Sequence, residues 1–540
     1  MRLKNELLIA QTAQGEEIFM HPSMANRHGL IAGATGTGKT ISLKVLAESF
    51  SDIGVPVFLA DIKGDLSGFA EAGGASKPVD KRVAEMGLES KGFVKKSYPV
   101  QYWDVFGENG IPVRTTISEM GPVLLARILG LNDTQTSVLN VVFQIADDNQ
   151  LLLIDTKDLK SMLKFVSDNN KALMTEYGNI APQSVAAIVR AIVALEGQGG
   201  REFFGEPSLD VKEWFRTSTD SRGVINILDC VKLSQMPVMY GTFMLWMLSE
   251  LYENLPEIGD CDKPRMVFFF DEAHLLFSGA SKALLEKVTQ VVRLIRSKGV
   301  GVFFITQSPA DIPDSTLAQL GNKIQHALHA YTPSEKKALK AAADSYRENP
   351  EFNTAEAIAE LGTGEAVISF LNEDGSPMVV QRAFVLPPQS GVSPIDAVKR
   401  QSEILRSDLY LRYKDMIDRR SAYEVLEDHN AALEEQAQLE AEEAQRLKQE
   451  KAEEAQRAKA QAAAEKAEQK ELERKRREEE KAAAKAVADA EKQKQRKMNS
   501  LKNTAVRGVS SVAADLLIGG KIGKGTQKSI VRGLLGTFLK

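Results

Sequence analysis

The chain has 540 residues, of which 43% are hydrophobic, and its 68 basic and 73 acidic side chains give a formal net charge of −5. A chain of this length buries a large core and is expected to form more than one structural unit. Its two cysteines, Cys230 and Cys261, exclude a disulfide-dense secreted scaffold. The sequence has neither a signal-peptide pattern nor a charge-free apolar window of about 18 residues, so it predicts a cytoplasmic protein.

The first part of the chain predicts strands that lead into a helix. Residues 6–11 and 16–20 have strand-like patterns, so residues 1–28 are expected to form a small N-terminal β element. Residues 30–32 then predict a short buried strand, and residues 41–50 repeat apolar side chains at helical spacing.

The segment between this strand and this helix fits the phosphate-binding pattern G-x-x-x-x-G-K-[ST] at every fixed position. It consists of Gly33, Ala34, Thr35, Gly36, Thr37, Gly38, Lys39 and Thr40. Glycines adopt positive φ at low cost, which lets backbone N–H groups face a phosphate, and the helix that follows adds its positive dipole. We predict that Lys39 reaches the β and γ phosphates of ATP and that the Thr40 hydroxyl binds Mg²⁺. A chance glycine-rich turn is the alternative.

A second strand is predicted over residues 55–60, and it ends in the tetrapeptide Asp-Ile-Lys-Gly that begins at Asp61. Residues 66–220 then interrupt the strand pattern and show helical periodicity, which predicts a mainly helical insertion. The sheet is expected to resume at residues 223–228.

A continuous apolar run over residues 266–270 is typical of a central parallel strand buried on both faces. The run ends in Asp271 and Glu272 and resembles a Walker B segment. In such a segment Asp271 would hold Mg²⁺, while Glu272 would orient and deprotonate the water that attacks the γ-phosphate. A strand that meets a helix cap is the alternative.

The next helix, over residues 281–298, carries Arg293 and Arg296 near its C-terminal end. Either side chain is a candidate arginine finger for a neighbouring subunit, although a solvated basic face is the simpler interpretation. The strand over residues 301–305 follows and puts Gln307 at the carboxyl edge of the sheet. There the amide could sense the γ-phosphate or the attacking water, or be an ordinary turn residue.

Together, the phosphate loop, the Asp-Ile-Lys-Gly strand end, the Asp-Glu-Ala-His box and the Ile-Thr-Gln-Ser-Pro strand end resemble the HerA and FtsK group of RecA-like motor ATPases. The closest likeness is to the bacterial HerA-like ATPases, over about residues 5–390. The resemblance implies an α/β fold with a mostly parallel central sheet, and ATP and Mg²⁺ as cofactors. It also implies a homohexameric ring with a central pore that translocates double-stranded DNA or, in secretion relatives, assists DNA transfer.

These landmarks divide the chain. The RecA-like core is expected over residues 29–65 and 221–390, followed by a helical connector over 391–430. Residues 431–498 are almost wholly Ala, Glu, Lys, Gln and Arg, and their leucines are too sparse for a sustained heptad seam, which favours a long solvated helix over a strong coiled coil. Residues 499–540 predict a basic amphipathic tail for a membrane surface, a protein partner or the chain's own ATPase body.

The charge distribution leaves other functions open. The net charge is −11 over residues 1–430, 0 over 431–498 and +6 over 499–540. A protein that coats DNA is basic throughout, so the acidic body also suits a protein remodeller or secretion-type ATPase without DNA contact, or a scaffold with a nucleotide-controlled assembly switch. The candidate for local duplex contact is a basic cluster in the insertion, with a solvated surface as its alternative. The cluster consists of Lys77, Lys81, Arg82, Lys91, Lys95 and Lys96.

Overall fold

The computed structural model describes residues 1–3, 6–259, 261–277 and 282–487. The chain divides into two units, Met1–Glu424 and Val425–Lys540. The predicted amphipathic tail lies outside the described residues.

The first unit is built on a 13-stranded sheet. The strands are β1 (Arg2–Leu3), β2 (Glu6–Thr12), β3 (Glu17–Met20), β4 (Gly29–Ala32), β5 (Val57–Asp61), β6 (Val100–Asp104), β7 (Ile111–Pro112), β8 (Ile225–Asp229), β9 (Met266–Phe270), β10 (Val300–Thr306), β11 (Asn322–Gln325), β12 (Glu365–Ser369) and β13 (Gln381–Val385).

The α-helices either connect these strands or follow the sheet. They are α1 (Lys39–Asp52), α2 (Lys77–Glu85), α3 (Ile117–Ile128), α4 (Asp133–Asp148), α5 (Thr156–Asp168), α6 (Asn170–Tyr177), α7 (Pro182–Leu195), α8 (Arg201–Phe203), α9 (Pro237–Asn254), α10 (His274–Phe277), α11 (Lys282–Ile295), α12 (Asp314–Leu317), α13 (Pro333–Asp344), α14 (Thr354–Glu360), α15 (Ala397–Arg406), α16 (Asp408–Tyr413) and α17 (Ala422–Val487).

The centre of the sheet is parallel, in the order β11-β4-β10-β9-β5-β8-β6-β7. An antiparallel flank of β12, β13, β2, β1 and β3 extends from β11. This is the α/β architecture of RecA-like P-loop proteins, as predicted from strands that alternate with helices.

The register of the parallel strands places their carboxyl ends at one edge. Thr306 at the end of β10 pairs with Ala32 at the end of β4, and Phe304 pairs with Phe270 at the end of β9. All five β9 residues are buried, because helices cover both faces of a parallel sheet. Stacked rings fix the neighbouring strands, with Phe269 and Phe303 centroids 5.2 Å apart. Polar residues that follow these strands therefore meet at the same edge.

The structure adds detail to the predicted boundaries. The mainly helical insertion 66–220 also supplies β6 and β7, and β6 pairs with β8 in the central sheet. The predicted N-terminal β element joins the same sheet, because β2 pairs with β13. Strand β11 ends at Gln325, so His326 lies just beyond it. Short runs of apolar residues do not show which sheet they join, and this is why these points were missed.

Within the described residues, the second unit is the continuation of α17 from Val425 to Val487. Every side chain of α17 from Leu433 to Lys481 is exposed. Ion pairs one turn apart line the helix, including Arg457 with Glu453. The charged helix predicted over 431–498 includes this segment, and its described residues are helical to Val487.

Among the described residues, no single helix is long and apolar enough to cross a bilayer. One bent pair of helices, Asn170–Tyr177 with Pro182–Phe203 at 99°, meets the length and composition requirement together.

Candidate functional site

The phosphate loop connects β4 to α1, and its glycines are required by both backbone conformation and space. Gly33 has φ 151° and Gly38 has φ 125°, in the region that favours glycine. A Cβ on Gly33 would lie 2.6 Å from Cβ of His326, which excludes any larger residue. The loop is fixed to its neighbours by Gly33 N–H donating to Thr306 O at 3.3 Å and Ala34 N–H donating to Ala327 O at 2.8 Å.

The Lys39 side chain folds over this loop. Its Nζ donates to Gly33 O at 2.6 Å and to Ala34 O at 3.0 Å. Burial lowers the pKa of the Lys39 ammonium, although the carboxylates of Glu272 and Asp271 oppose that shift. The hydrogen-bond acceptors of this ammonium are neutral carbonyl oxygens. Phosphate oxygens would be stronger acceptors, because a hydrogen bond between two charged groups is stronger than one to a neutral carbonyl.

The residues present fit a triphosphate and Mg²⁺. The loop offers backbone N–H groups at the N-terminus of α1, where the helix dipole favours an anion. Thr40 lies in the first turn of α1, and Asp271 follows β9 at the same sheet edge. One hydroxyl and one carboxylate, completed by phosphate oxygens and water, are typical ligands of Mg²⁺ in nucleotide sites.

Asp271 and Glu272 follow the buried strand β9, as predicted. Burial is the main cause that raises the pKa of Asp271 to about 6, while Lys63 opposes it. Glu272 has φ 45°, an uncommon conformation for a non-glycine residue. Such backbone strain costs on the order of 1–3 kcal/mol and is concentrated at functional sites.

Both carboxylate oxygens of Glu272 are occupied in this structure. Oε1 forms an ion pair with Lys63 Nζ at 2.6 Å, and Oε2 lies 3.2 Å from His274 Nδ1. Gln307 Nε2 also donates to Oε2, at 3.5 Å. Burial would raise the pKa of Glu272, but the hydrogen bond and charge of Lys63, together with His274 and Gln307, outweigh burial, so the pKa is lowered.

Lys63 is a site residue that sequence reasoning missed. It belongs to the Asp-Ile-Lys-Gly run after β5, and β5 pairs with β9. A polar residue that follows a neighbouring parallel strand was the available signal, the same one that identified Gln307. The lysine was passed over because a half-exposed lysine after a strand is usually a solvated turn residue.

His326 is the second site residue that was missed. Its Nδ1 lies 2.8 Å from the Glu365 carbonyl oxygen, which only accepts, so Nδ1 carries the proton. Its Nε2 therefore accepts from the Ser42 hydroxyl, at 2.7 Å. Burial lowers the pKa of His326 to about 4, which keeps the ring neutral at physiological pH. This ring joins α1 to β12 behind the phosphate loop.

The structure does not bring Arg293 and Arg296 to the nucleotide site of their own chain. The Arg296–Lys298 turn follows α11 and immediately precedes β10, whose first residue, Val300, pairs with Met266 at the start of β9. The two arginines therefore lie at the edge of the sheet opposite the phosphate loop.

The glycine loop joins the buried strand β4 to helix α1, and two carboxylates follow β9 at the same edge of the parallel sheet. This combination defines a RecA-like P-loop nucleoside triphosphatase. The family model "Helicase HerA-like C-terminal" matches residues 6–540, and the chain belongs to this family.

Individual relatives are distant. The chain is 21% identical over 361 residues to the DNA double-strand break repair helicase HerA of Saccharolobus solfataricus, covering 65% of this chain and 63% of that protein. It is 28% identical over 149 residues to the protein of the same name from Sulfolobus acidocaldarius, covering 27% and 29%. The chain thus spans less than two thirds of the length of these curated relatives.

The solved structures that are similar to this chain include VirB4 and TrwB. VirB4 of Thermoanaerobacter pseudethanolicus is 13% identical with a TM-score of 0.46, covering 72% of this chain and 97% of that one. The plasmid coupling protein TrwB in complex with ADP and Mg²⁺ is 14% identical with a TM-score of 0.43, covering 72% and 96%.

The His326 side chain, which is hydrogen-bonded to Ser42 and Glu365, is expected to hold the phosphate loop in place. His326→Ala removes the ring that lies next to Gly38 and its hydrogen bonds to Ser42 and the Glu365 carbonyl, so nucleotide affinity is expected to fall about tenfold for one or two lost hydrogen bonds. Titration with a fluorescent ATP analogue measures the effect, and a thermal melt checks folding. His21→Ala, on the N-terminal side of β4, is the matched histidine control. Unchanged nucleotide affinity in a folded His326→Ala variant would show that His326 does not hold the phosphate loop in place.

Proposed function

We propose that the chain is a Mg²⁺-dependent ATP hydrolase that acts as a ring-shaped HerA-like motor on double-stranded DNA. The observation that carries the hydrolytic part is the meeting of a phosphate loop, a carboxylate pair and an amide at one edge of the sheet. Membership of the HerA-like family supports the motor part.

In this proposal each side chain has a distinct role. Lys39 binds the β and γ phosphates, and Thr40 and Asp271 hold the metal. Glu272 accepts a proton from the attacking water, and Gln307 orients that water or senses the γ-phosphate. When bound, Mg²⁺ would neutralise charge that develops on the phosphates.

The Lys63 ion pair with Glu272 has to open before ATP is hydrolysed. Glu272 Oε1 is held by the Lys63 ammonium at 2.6 Å. A carboxylate that accepts a proton from water needs an open oxygen, so Lys63 has to withdraw from this oxygen first. Bound metal would help, because its charge repels the ammonium.

The proposed assembly is a homohexamer in the cytoplasm, on the basis of the resemblance to HerA and FtsK ATPases. Arg293 and Arg296 lie too far from their own phosphate loop to act in cis, because they are at the opposite sheet edge. Any role as an arginine finger is therefore proposed in trans.

A second candidate is a protein remodeller or secretion-type ATPase, and one observation favours it. Most lysines of the predicted basic cluster are paired with acids, at 2.6–3.5 Å. The pairs are Lys81 with Glu85, Lys91 with Glu17, Lys95 with Asp80 and Lys96 with Asp52. Neutralised lysines make a weak phosphate-binding surface.

A scaffold with a nucleotide-controlled assembly switch is the third candidate, and the exposed charged helix α17 suits it.

Two substitutions test the hydrolytic roles. Lys39→Ala is expected to abolish nucleotide binding, whereas Glu272→Gln retains binding and lowers turnover by about two to four orders of magnitude. Steady-state ATPase assays with nucleotide titrations separate the two effects. Equal turnover in Glu272→Gln and the unmodified protein would remove Glu272 from its role.

Lys63→Met tests the ion pair through pH dependence. Because Lys63 lowers the pKa of Glu272 in the free protein, its loss raises that pKa, and the acid limb of the pH profile of kcat/KM moves to higher pH. Lys63→Arg keeps the charge and is expected to leave the limb in place. An identical profile for Lys63→Met would mean that the pair does not control Glu272.

The substrate is tested by ATPase assays with and without duplex DNA across ionic strength. The DNA motor predicts turnover that DNA stimulates and salt weakens, because phosphate contacts release counterions. Stimulation by protein or lipid instead of DNA would favour the remodeller. Slow, unstimulated turnover with ATP-dependent oligomerisation would favour the scaffold. Glu272→Gln provides the background rate.

A further inference from the structure

Arg82 does not belong to the surface formed by the rest of the basic cluster. It lies on α2, and its guanidinium stands over the ring of Phe384 in β13, 4.5 Å from the ring centroid. The neighbouring Lys81 points away and pairs with Glu85, with 76% of its side chain exposed. Arg82 is thus turned toward the sheet edge that carries the phosphate loop.

One glycine separates the Arg82 guanidinium from the phosphate loop. Gly364 N–H donates to Thr37 O at 2.9 Å, and a Cβ on Gly38 would lie 3.3 Å from Gly364 Cα. A Cβ on Gly364 would lie 3.3 Å from Arg82 Nη2. Gly364 also has φ 79°, so a side chain is disfavoured there on two grounds. The guanidinium therefore lies beside the loop, at the start of α1.

The donors of Arg82 are not all used. Its Nη1 is buried and has no hydrogen-bond acceptor among the described residues. An unsatisfied buried donor is costly, more so when it is charged, and such groups are normally satisfied by a partner. One face of the planar guanidinium is against Phe384, and a Cβ on Gly364 would lie 3.8 Å from its Cζ and Nη1.

The direction of a bound triphosphate follows from the site. Its γ-phosphate must point to Glu272 and Gln307, which lie with His274 at the Thr35 end of the loop. The α-phosphate then lies over the first turn of α1, and the nucleoside leaves the loop on the opposite side. That side is formed by Gly364 and Arg82.

We propose that Arg82 and Phe384 form the wall against which the purine nucleoside of the bound nucleotide rests. When the nucleotide binds, the guanidinium lies between the Phe384 ring and the base, and the Arg82 side chain turns so that Nη1, which is buried in this structure, donates to an acceptor of the nucleoside or its α-phosphate. This proposal rests on the proposed nucleotide function and adds the element that recognises more than phosphate.

The opposite flank of the loop is the competing location. A cavity there is lined by Thr35, Gln307 and the strongly exposed Tyr331, whose ring could also stack on a base. We favour the Arg82 side because a nucleoside in that cavity would occupy the place of the γ-phosphate and its water. Tyr331→Ala distinguishes the two locations.

The experiment compares calorimetric affinities for Mg·ATP and for inorganic tripolyphosphate with Mg²⁺, which lacks the nucleoside. Arg82→Ala is expected to weaken ATP binding roughly tenfold, between the strengths of an exposed and a desolvated cation–π contact, and to leave tripolyphosphate binding unchanged. Phe384→Leu should show a smaller loss of the same kind. Lys81→Ala, the adjacent residue on α2, and Tyr331→Ala should bind both ligands normally. Thermal melts check folding, and Arg82→Lys provides a charged variant if Arg82→Ala does not fold.

Each other outcome has a definite meaning. Equal loss of both ligands in Arg82→Ala would make Arg82 a support of the loop and overturn the proposal, as would full ATP affinity. Selective loss of ATP in Tyr331→Ala would move the nucleoside to the other flank. If the unmodified protein bound neither ligand, the proposed function itself would fail, whatever the Arg82 variants did.

Discussion

Parallel pairing of β4, β10 and β9 is the constraint on which the site depends. These strands end in register, so three segments that are far apart in sequence meet at one edge. The buried aromatic residues of β9 and β10 keep this register, because a slip would move stacked rings out of a closely packed core. The phosphate loop, the carboxylates after β9 and the amide after β10 occupy fixed positions as a consequence.

The charged side chains of the site have partners within the protein in this structure. Lys39 binds carbonyls of the loop, and Glu272 is held by Lys63, His274 and Gln307. Both arrangements satisfy charged groups that a triphosphate and a metal would otherwise satisfy. Nucleotide binding therefore exchanges one set of partners for another, and the strained backbone at Glu272 is placed where that exchange occurs. In a motor, such an exchange provides a link between the nucleotide and movement.

Local sequence patterns were sufficient to predict the central strands, the phosphate loop and the residues that end each strand. The continuous apolar run of β9 and the glycine spacing of the loop are signals contained within a few residues. Lys63 and His326 were not assigned, and Arg82 was assigned only to the basic cluster, because their contacts involve partners that are distant in sequence. His326 is explained only by Ser42 and Glu365, which packing of α1 and β12 brings to it.

The structure of the full chain with a non-hydrolysable ATP analogue and Mg²⁺ is the most direct test. We predict the triphosphate inside the glycine loop, with Lys39 Nζ moved from the Gly33 and Ala34 carbonyls to the phosphates and Glu272 facing the γ-phosphate. An analogue bound elsewhere, with Lys39 still on those carbonyls, would contradict the assignment of this edge of the sheet as the nucleotide site.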